Sequence, residues 1–358
     1  MESLANEKEE TGPRTSASSA WLVDDPSFDA HALRPGEGYH PERPERLVAA
    51  RAAVSARSTL AWHTVEAREA TLDELVRVHE PRYLEALEAL RGKAGFLDAD
   101  TYFGPRSVEA ARKAAGGVVA MVDRMIDSDI PKGVALVRPP GHHARPGRAM
   151  GFCLLNSVAV AAEHARARGL GRVLVVDWDV HHGNGTQEMF WRRPDVLYAS
   201  THQFPFYPGT GAADDVGEGE GRGFTVNVPL SAGADDGVYR GAFERVLLPV
   251  AEEYGPDLIL ISAGFDASAR DPLANMRLDA AAFGWMASAL SALADRTAKG
   301  RIAMVLEGGY DLVALESCLA SAIDGMAGEG TFAPPCTPDH PDIARAARAA
   351  REAWRVVD

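Results

Sequence analysis

A short apolar run followed by closely spaced acids and a histidine constrains this chain more than any other stretch. Val173–Val176 has the length and the β-branched content of a buried parallel strand. Asp177, Asp179 and His181 follow at alternate positions. Residues two apart in extended chain project from the same face, so these groups can point together where the strand ends. They predict ligands for a metal, although a polar loop closing a βα unit would also fit.

The second half of the chain alternates between strand-like and helix-like patterns. The predicted strands are Gly133–Val137, Val173–Val176, Val196–Ser200, Phe224–Val228, Leu258–Ser262 and Ile302–Leu306. The predicted helices between and after them are Ser157–Arg168, Thr186–Trp191, Asp236–Glu253, Ala280–Ala298 and Leu312–Met326. This alternation indicates an α/β fold with a mainly parallel sheet covered by helices on both faces. Such sheets bind ligands beyond the carboxyl ends of their strands.

Three segments are expected along the chain. Residues 1–20 are polar and lack apolar periodicity, which predicts a disordered tail. Residues 21–326 form one domain, since neither a repeat nor a linker divides them. They include a first strand at Trp21–Val23 and a helical stretch, Thr71–Leu90, that Pro81 splits in two. Residues 327–358 are expected to be a C-terminal extension with a helix at Ala344–Trp354.

Composition narrows the classes of partner. The chain has 358 residues with 37 Lys and Arg against 51 Asp and Glu, a net charge of −14. An acidic surface repels phosphate backbones and anionic lipids, so neither nucleic acid nor a membrane is expected as a partner. Three widely spaced cysteines indicate a reducing compartment. With no apolar signal segment near the start, we expect a cytoplasmic protein. Self-association into a homo-oligomer is left open.

Polar residues also follow the other predicted strands. His142 and His143 come after the strand at Gly133, Asp266 after the strand at Leu258, and Tyr310 after the strand at Ile302. An Asp/His ligand set suits Zn²⁺, with Fe²⁺ or Co²⁺ as alternatives, and three protein ligands leave positions open for water and substrate.

Other residue types at these strand ends suit the steps of hydrolysis. A histidine pair can take and return a proton, and Asp177 and Asn184 can hold the rings. The Tyr310 hydroxyl can donate to an oxyanion. Together these groups predict hydrolysis of an amide or an ester.

Five motifs in matching order resemble the zinc-dependent histone deacetylase family. They are RPPGHHA at Arg138–Ala144, GFCLLN at Gly151–Asn156, DWDVHHGNGTQ at Asp177–Gln187, SAGFDA at Ser262–Ala267 and EGGYD at Glu307–Asp311. This family includes bacterial histone-deacetylase-like amidohydrolases and acetylpolyamine deacetylases. HPERPER at His40–Arg46 is similar to the family's entrance loop. The resemblance implies the arginase–deacetylase α/β fold.

The resemblance also implies a role for each motif residue. Asp179, His181 and Asp266 would hold the Zn²⁺, and His143 would act as general base and acid. His142 would be backed by Asp177, and His143 by Asn184 as in class II relatives, in place of an aspartate. Tyr310 would polarise the acetyl carbonyl. The family's structural K⁺ would bind at Asp177, Asp179, His181, Ser200 and Thr201, partly through backbone carbonyls.

The walls of the substrate tunnel are implied in the same way. Phe152 matches one aromatic wall, and the opposite wall falls on Phe206 or Tyr207, with Tyr207 the better match. Gly151 matches the residue whose carbonyl faces the substrate chain. Leu278 falls where lysine deacetylases have a tunnel leucine and some polyamine-selective relatives have an acidic residue.

We therefore expect a zinc-dependent deacetylase that removes an acetyl or short acyl group from a lysine-type amine, either in a peptide or in a small molecule. Leu278 offers no partner for a second ammonium group, which favours acyl-lysine over acetylpolyamine substrates. Deacetylation of polyamines is the alternative within enzymes. A dinuclear ureohydrolase fits less well because one complete ligand set is visible. A different class of protein, one that binds acyl-lysine without catalysis, would carry the same fold.

Overall fold

The computed structural model describes residues 18–56, 60–330 and 332–355. Its strands are β1 (Ser18–Val23), β2 (Leu60–Val65), β3 (Gly95–Phe96), β4 (Tyr102–Phe103), β5 (Lys132–Ala135), β6 (Val173–Asp177), β7 (Val196–Gln203), β8 (Thr225–Leu230), β9 (Leu258–Ala263) and β10 (Ile302–Leu306). Eight of them form one parallel sheet in the order β2-β1-β5-β10-β9-β6-β7-β8, and β3 and β4 pair separately as an antiparallel ribbon.

Helices cover both faces of this sheet. They are α1 (Pro26–Asp29), α2 (Glu45–Ser55), α3 (Leu72–Leu75), α4 (Pro81–Glu88), α5 (Ser107–Asp127), α6 (Ser157–Ala167), α7 (Asn184–Phe190), α8 (Asp236–Ala242), α9 (Leu248–Tyr254), α10 (Ala280–Thr297), α11 (Leu312–Ala327) and α12 (Pro341–Ala350). Among the helices in the described ranges, none combines the length and the hydrophobicity that a bilayer-spanning segment requires.

The central strands are apolar on both faces because helices bury both faces. Every residue of β6, β9 and β10 is buried. Their side chains belong to one continuous hydrophobic core that extends to the packed faces of α10 and α11. A smaller apolar cluster lies between α3, α4, α5 and α6. This arrangement is the α/β fold predicted from the alternation of strands and helices.

Four neighbouring strands in the middle of the sheet, β5, β10, β9 and β6, run in parallel. Their carboxyl ends therefore lie side by side at one edge. The predicted metal ligands, the tandem histidines and Tyr310 follow these same four strands. The fold thus brings together segments that are up to about 170 positions apart in the chain, since backbone pairing aligns the ends of parallel strands.

Several expectations need correction. Residues 18–20 belong to β1 and not to a disordered tail, and residues 1–17 lie outside the described residues. The edge strand β2 was not expected because its residues are largely exposed and carry no clear alternation. The helix expected at Asp236–Glu253 is divided into α8 and α9 by a π-helical turn, Phe243–Leu247.

The last part of the chain lies against the sheet. The helix expected at Ala344–Trp354 spans Pro341–Ala350 (α12) and contacts β8. Ile343 is fully buried there. Beyond the helix, the Trp354 indole N–H donates to the Gly223 carbonyl at 2.7 Å, and its ring packs edge-on against Phe224. These contacts cover the outer edge of β8, which would otherwise be an open sheet edge.

Candidate metal centre and active site

Two aspartates and one histidine converge where β6 and β9 end. One ligand atom from each of Asp179, His181 and Asp266 lies within 4.8 Å of the others. His181 Nδ1 is 3.2 Å from Asp179 Oδ1 and 3.2 Å from Asp266 Oδ2. Both carboxylates are buried. This is the only such group of His, Cys, Asp and Glu side chains within the described ranges. Two carboxylates and an imidazole facing one point are a donor set for a divalent cation.

Backbone amides hold both carboxylates in place. The Gly308 N–H donates to Asp179 Oδ2 at 2.8 Å, and the Val180 N–H donates to Asp266 Oδ1 at 2.9 Å. Asp179 Oδ1 and Asp266 Oδ2 lie next to the His181 ring, and Asp179 Oδ1 also accepts from the His181 N–H at 2.9 Å. Outer hydrogen bonds of this kind fix the orientation of metal ligands.

Two glycines make the close approach of the acids sterically feasible. A Cβ atom on Gly264 would lie 2.1 Å from Asp179 Oδ2, and one on Gly308 would lie 2.2 Å from Asp266 Oδ2. Any side chain at these positions would displace a carboxylate. The glycines of the SAGFDA and EGGYD motifs are therefore required by the crowding of the site.

The two tandem histidines have different partners. Asp177 Oδ2 lies 3.1 Å from His142 Nδ1, and Asn184 Oδ1 lies 2.8 Å from His143 Nδ1. Both oxygens can only accept, so each ring donates from Nδ1 and leaves Nε2 for the cavity side. The ring centroids are 4.0 Å apart. The predicted pairing of His142 with Asp177 and of His143 with Asn184 is the pairing that the structure has.

Their surroundings move the two pKa values in opposite directions. Burial lowers the pKa of His142, but the carboxylates of Asp179, Asp177 and Glu307 raise it well above its ordinary value. Burial also lowers the pKa of His143, and the neighbouring charges of His142 and His181 lower it further. His143 is therefore the ring that is neutral and able to accept a proton near neutral pH.

A cavity of about 250 Å³ leads to this group of residues. Its lining residues are Asp100, Pro140, His142, His143, Gly151, Phe152, His181, Phe206, Tyr207, Leu273, Gly308 and Tyr310. The Tyr207 ring meets the His143 ring edge-on at 5.2 Å, and the Phe206 ring stacks on the His181 ring at 5.5 Å. The tunnel wall was expected at Phe206 or Tyr207, with Tyr207 the better match. Both residues line the cavity.

Gly151 and Phe152 form another part of the wall. Both have positive φ, 55° and 68°. A Cβ on Gly151 would lie 2.4 Å from the His143 ring, so only glycine fits there. The Phe152 N–H donates to Thr101 Oγ at 3.1 Å, which holds this uncommon backbone conformation. The Gly151 carbonyl accepts a hydrogen bond from the Cys153 thiol at 3.2 Å.

The prediction for Leu278 is wrong. Leu278 is fully buried, and its backbone pairs with Ala267 and Ala269 beneath the cavity. Leu273, five residues earlier, lines the cavity in its place. The loop turns between these two positions, and counting along the sequence could not reveal which leucine faces inward.

Tyr310 stands opposite the histidines. Its side chain is 7% exposed, its ring lies 5.8 Å from the Phe152 ring, and the Arg46 guanidinium lies 4.9 Å from its centroid. Burial raises the pKa of Tyr310 well above its ordinary value, although Arg46 acts in the opposite direction. The hydroxyl therefore keeps its proton and can donate a hydrogen bond.

The HPERPER segment has a buried role in addition to its predicted place at the entrance. Arg46 donates to the Gly309 carbonyl at 2.7 Å and to the Glu307 carbonyl. Glu42 pairs with both Arg46 and Arg138, and all three side chains are fully buried. These charges brace the turn that carries Tyr310. Paired basic and acidic residues beside prolines were the only sequence signal for this cluster.

The residues of the predicted potassium site lie on neighbouring strands. Asp177 on β6 and Ser200 on β7 are paired in the strand register. Ser200 Oγ is 2.9 Å from His202 Nδ1. Thr201 Oγ is buried and has no hydrogen-bond partner within the described residues. The Asp179 N–H donates to Asp177 Oδ1 at 3.2 Å, which links Asp179 to this group.

Removal of one ligand should abolish tight metal binding. We expect His181→Ala and Asp266→Ala each to weaken Zn²⁺ affinity by about 100-fold or more. Loss of a residue that only hydrogen-bonds to a metal ligand already lowers metal affinity by about 10- to 100-fold. Competition with a chromogenic chelator measures this. His63→Ala, at an exposed histidine on β2, is the matched control and should leave the affinity unchanged. Unchanged affinity in both ligand variants would place the metal elsewhere.

Comparisons with known proteins agree with this geometry. Residues 40–326 match the histone deacetylase domain family. A histone deacetylase-like amidohydrolase of Pseudomonas aeruginosa is 45% identical over 261 residues, which cover 72% of this chain and 68% of that protein. Human polyamine deacetylase HDAC10 is 41% identical over 304 residues, which cover 80% of this chain and 45% of that protein.

Solved structures agree as well. The crystal structure of the HDA15 HD domain superposes with a TM-score of 0.87 at 39% identity, covering 94% of this chain and 95% of that one. The aligned regions cover only 66% and 60% of the lengths of two Arabidopsis thaliana relatives, histone deacetylase 14 and histone deacetylase 15. The match spans most of this chain and includes every strand end of the site. The chain belongs to the histone deacetylase family.

Proposed function

We propose that this protein is a zinc-dependent hydrolase that removes an acetyl or short acyl group from a lysine-type amine. The observation that carries the proposal is the cavity of about 250 Å³ that His181, His143 and Tyr310 line together, with the buried acids Asp179 and Asp266 beside His181. A hydrolase needs a cation site, a base and an oxyanion donor around one reacting carbonyl, and this cavity has all three at its base.

Asp179, His181 and Asp266 would hold the ion, since one ligand atom of each lies within 4.8 Å of the others. When bound there, a divalent ion supplies Lewis acidity, which lowers the pKa of water from ~15.7 towards ~7 and polarises a carbonyl. Zn²⁺ suits the donor set, and Fe²⁺ or Co²⁺ would also be accepted.

The remaining steps belong to the side chains. His143 is neutral and accepts the proton of the attacking water through Nε2, while Asn184 fixes its ring. His143 then returns this proton to the departing amine. Tyr310, which keeps its hydroxyl proton, donates to the oxygen of the tetrahedral species. His142, charged and backed by Asp177, adds positive charge beside the same oxygen.

The shape of the cavity supports a linear side chain as substrate. Phe152 and Tyr207 line it as aromatic surfaces, and Leu273 adds an apolar one. Apolar walls of this kind suit the methylene chain of an acylated lysine. Asp100 lines the same cavity and offers a carboxylate that can accept a hydrogen bond from an N–H group of the substrate.

The catalytic assignment predicts the kinetics of two variants. His143→Ala and Tyr310→Phe should each lower kcat for an acetyl-lysine peptide by about 100-fold or more, because each removes a group that acts in the transition state. Acetate release measures this. His63→Ala and Tyr39→Phe alter exposed residues and should retain full activity. Binding of acyl-lysine peptides by zinc-loaded wild-type protein without any release of acetate would instead establish the non-catalytic binding protein.

Deacetylation of polyamines is the second candidate function, favoured by the similarity to human polyamine deacetylase HDAC10. The side chain that separates the two substrate classes should be Leu273, since it lines the cavity. We expect Leu273→Glu to raise the ratio of acetylspermidine to acetyl-lysine turnover by about tenfold, because a carboxylate there would pair with a second ammonium group.

The buried Leu278 provides the matched control. Leu278→Glu places the same charge outside the cavity, so it should lower the thermal unfolding midpoint and leave the substrate ratio unchanged. A substrate ratio that changes in Leu278→Glu and not in Leu273→Glu would contradict the assignment of Leu273 to the cavity wall.

We also propose a structural K⁺ beside the catalytic group, at Asp177, Asp179, His181, Ser200 and Thr201. A buried carboxylate and the buried Thr201 hydroxyl, which has no partner within the described residues, support it. Replacing K⁺ with a large organic cation such as choline should lower the thermal unfolding midpoint. An unchanged midpoint would reject the site.

A further inference from the structure

One buried carboxylate joins two of the loops that line the cavity. Asp271 lies in the loop after β9 and is 6% exposed. Its Oδ2 accepts hydrogen bonds from the Tyr310 N–H at 2.6 Å and the Asp311 N–H at 3.2 Å. Its Oδ1 accepts from the Leu273 N–H at 3.0 Å. All of these donors are backbone amides of the cavity loops.

No Lys, Arg or His side chain forms an ion pair with Asp271 among the described residues. The neighbouring Arg270 pairs instead with Asp311 on the outside of the loop, at 3.2 Å. Burial and the charge of Asp266 raise the pKa of Asp271 to about 7, and the backbone donors act in the opposite direction. A buried carboxyl group without an ion-pair partner gains little stability from charge pairing. Asp271 therefore stabilises the structure through the hydrogen bonds that it accepts.

Those hydrogen bonds connect two functional positions. Tyr310 carries the hydroxyl assigned to the oxyanion, and Leu273 lines the tunnel. Because Asp271 binds both backbones at once, the distance between the oxyanion donor and the tunnel wall depends on one side chain. The Arg46 contacts hold the same turn from its other side, at the Gly309 carbonyl. A shift of about 1 Å in a catalytic group can cost about 100-fold in rate.

We infer that Asp271 is a positioning residue for the deacylation reaction, which sets the place of Tyr310 against the substrate tunnel. The effect of Asp271 on kcat rests on the proposed function. The hydrogen bonds themselves are features of the protein alone. Asp271 does not touch the reacting atoms, so its effect should pass through Tyr310 and Leu273.

A double-mutant cycle with Tyr310→Phe tests this route. Asp271→Asn keeps the size of the side chain but replaces one accepting oxygen with an amide. In the wild-type background it should lower kcat about tenfold and change KM less than twofold. In the Tyr310→Phe background, where the hydroxyl is already gone, it should lower kcat less than twofold. Coupling of this kind identifies residues that act through one another.

Equal losses in the two backgrounds would show that Asp271 does not act through Tyr310, and would overturn the inference. Arg270→Ala removes the exposed ion pair of the same loop and is the matched control, expected to stay within twofold of wild-type kcat. If Asp271→Asn does not fold, Asp271→Ser replaces it in the cycle. Failure of both variants to fold would assign the carboxylate to stability alone and reject the positioning role.

Hydrogen exchange of the metal-free protein gives a readout that does not depend on turnover. Asp271→Asn should accelerate exchange in peptides that contain the Leu273 and Tyr310 amides, whereas Arg270→Ala should not. Unchanged exchange would show that these amides are held by something else. Acetate release by the wild-type enzyme is measured first. An inactive wild type would contradict the proposed function, whereas additive losses in an active enzyme would contradict only the role of Asp271.

Discussion

The crowding of buried carboxylates at one edge of the sheet is the constraint on which the rest of the structure depends. Asp177, Asp179, Asp266 and Glu307 are each no more than 1% exposed. Placing a single charge in a protein interior costs several kcal/mol unless it is compensated. Here backbone amides compensate some oxygens, for example Glu307 Oε2 by the Gly141 and His142 N–H groups. The remaining charge faces His181 and His142, and a metal ion held by Asp179, His181 and Asp266 would complete the balance.

The same crowding explains why glycines stand next to the buried acids. A Cβ on Gly183 would lie 2.1 Å from Asp177 Oδ2, as close as the equivalent atom on Gly264 would lie to Asp179. The backbone passes so close to each acid at these points that only glycine fits, and the Gly308 N–H also donates to Asp179. The buried ion cluster of Glu42, Arg46 and Arg138 then holds the Tyr310 turn from behind. The contacts that compensate the buried charges are therefore also the contacts that position the catalytic groups.

Much of this arrangement could be predicted from the chain. The alternation of apolar strands and helices predicts a parallel sheet, and parallel strands bring their carboxyl ends to one edge, so Asp179, His181, Asp266, both tandem histidines and Tyr310 were expected to meet. Loops were harder to predict. Leu278 and Leu273 are both apolar residues of one loop, and only the backbone pairing of Leu278 with Ala267 decides which faces the cavity. The role of Asp271, two residues before Leu273, could not be predicted because its partners are backbone amides, which leave no mark on the sequence.

The most direct test is anomalous diffraction from crystals of the zinc-loaded protein, measured on both sides of the zinc absorption edge. We expect one strong zinc peak, about 2.0–2.2 Å from Asp179 Oδ1, His181 Nδ1 and Asp266 Oδ2. A zinc peak bound by other side chains, or none at the ends of β6 and β9, would contradict it.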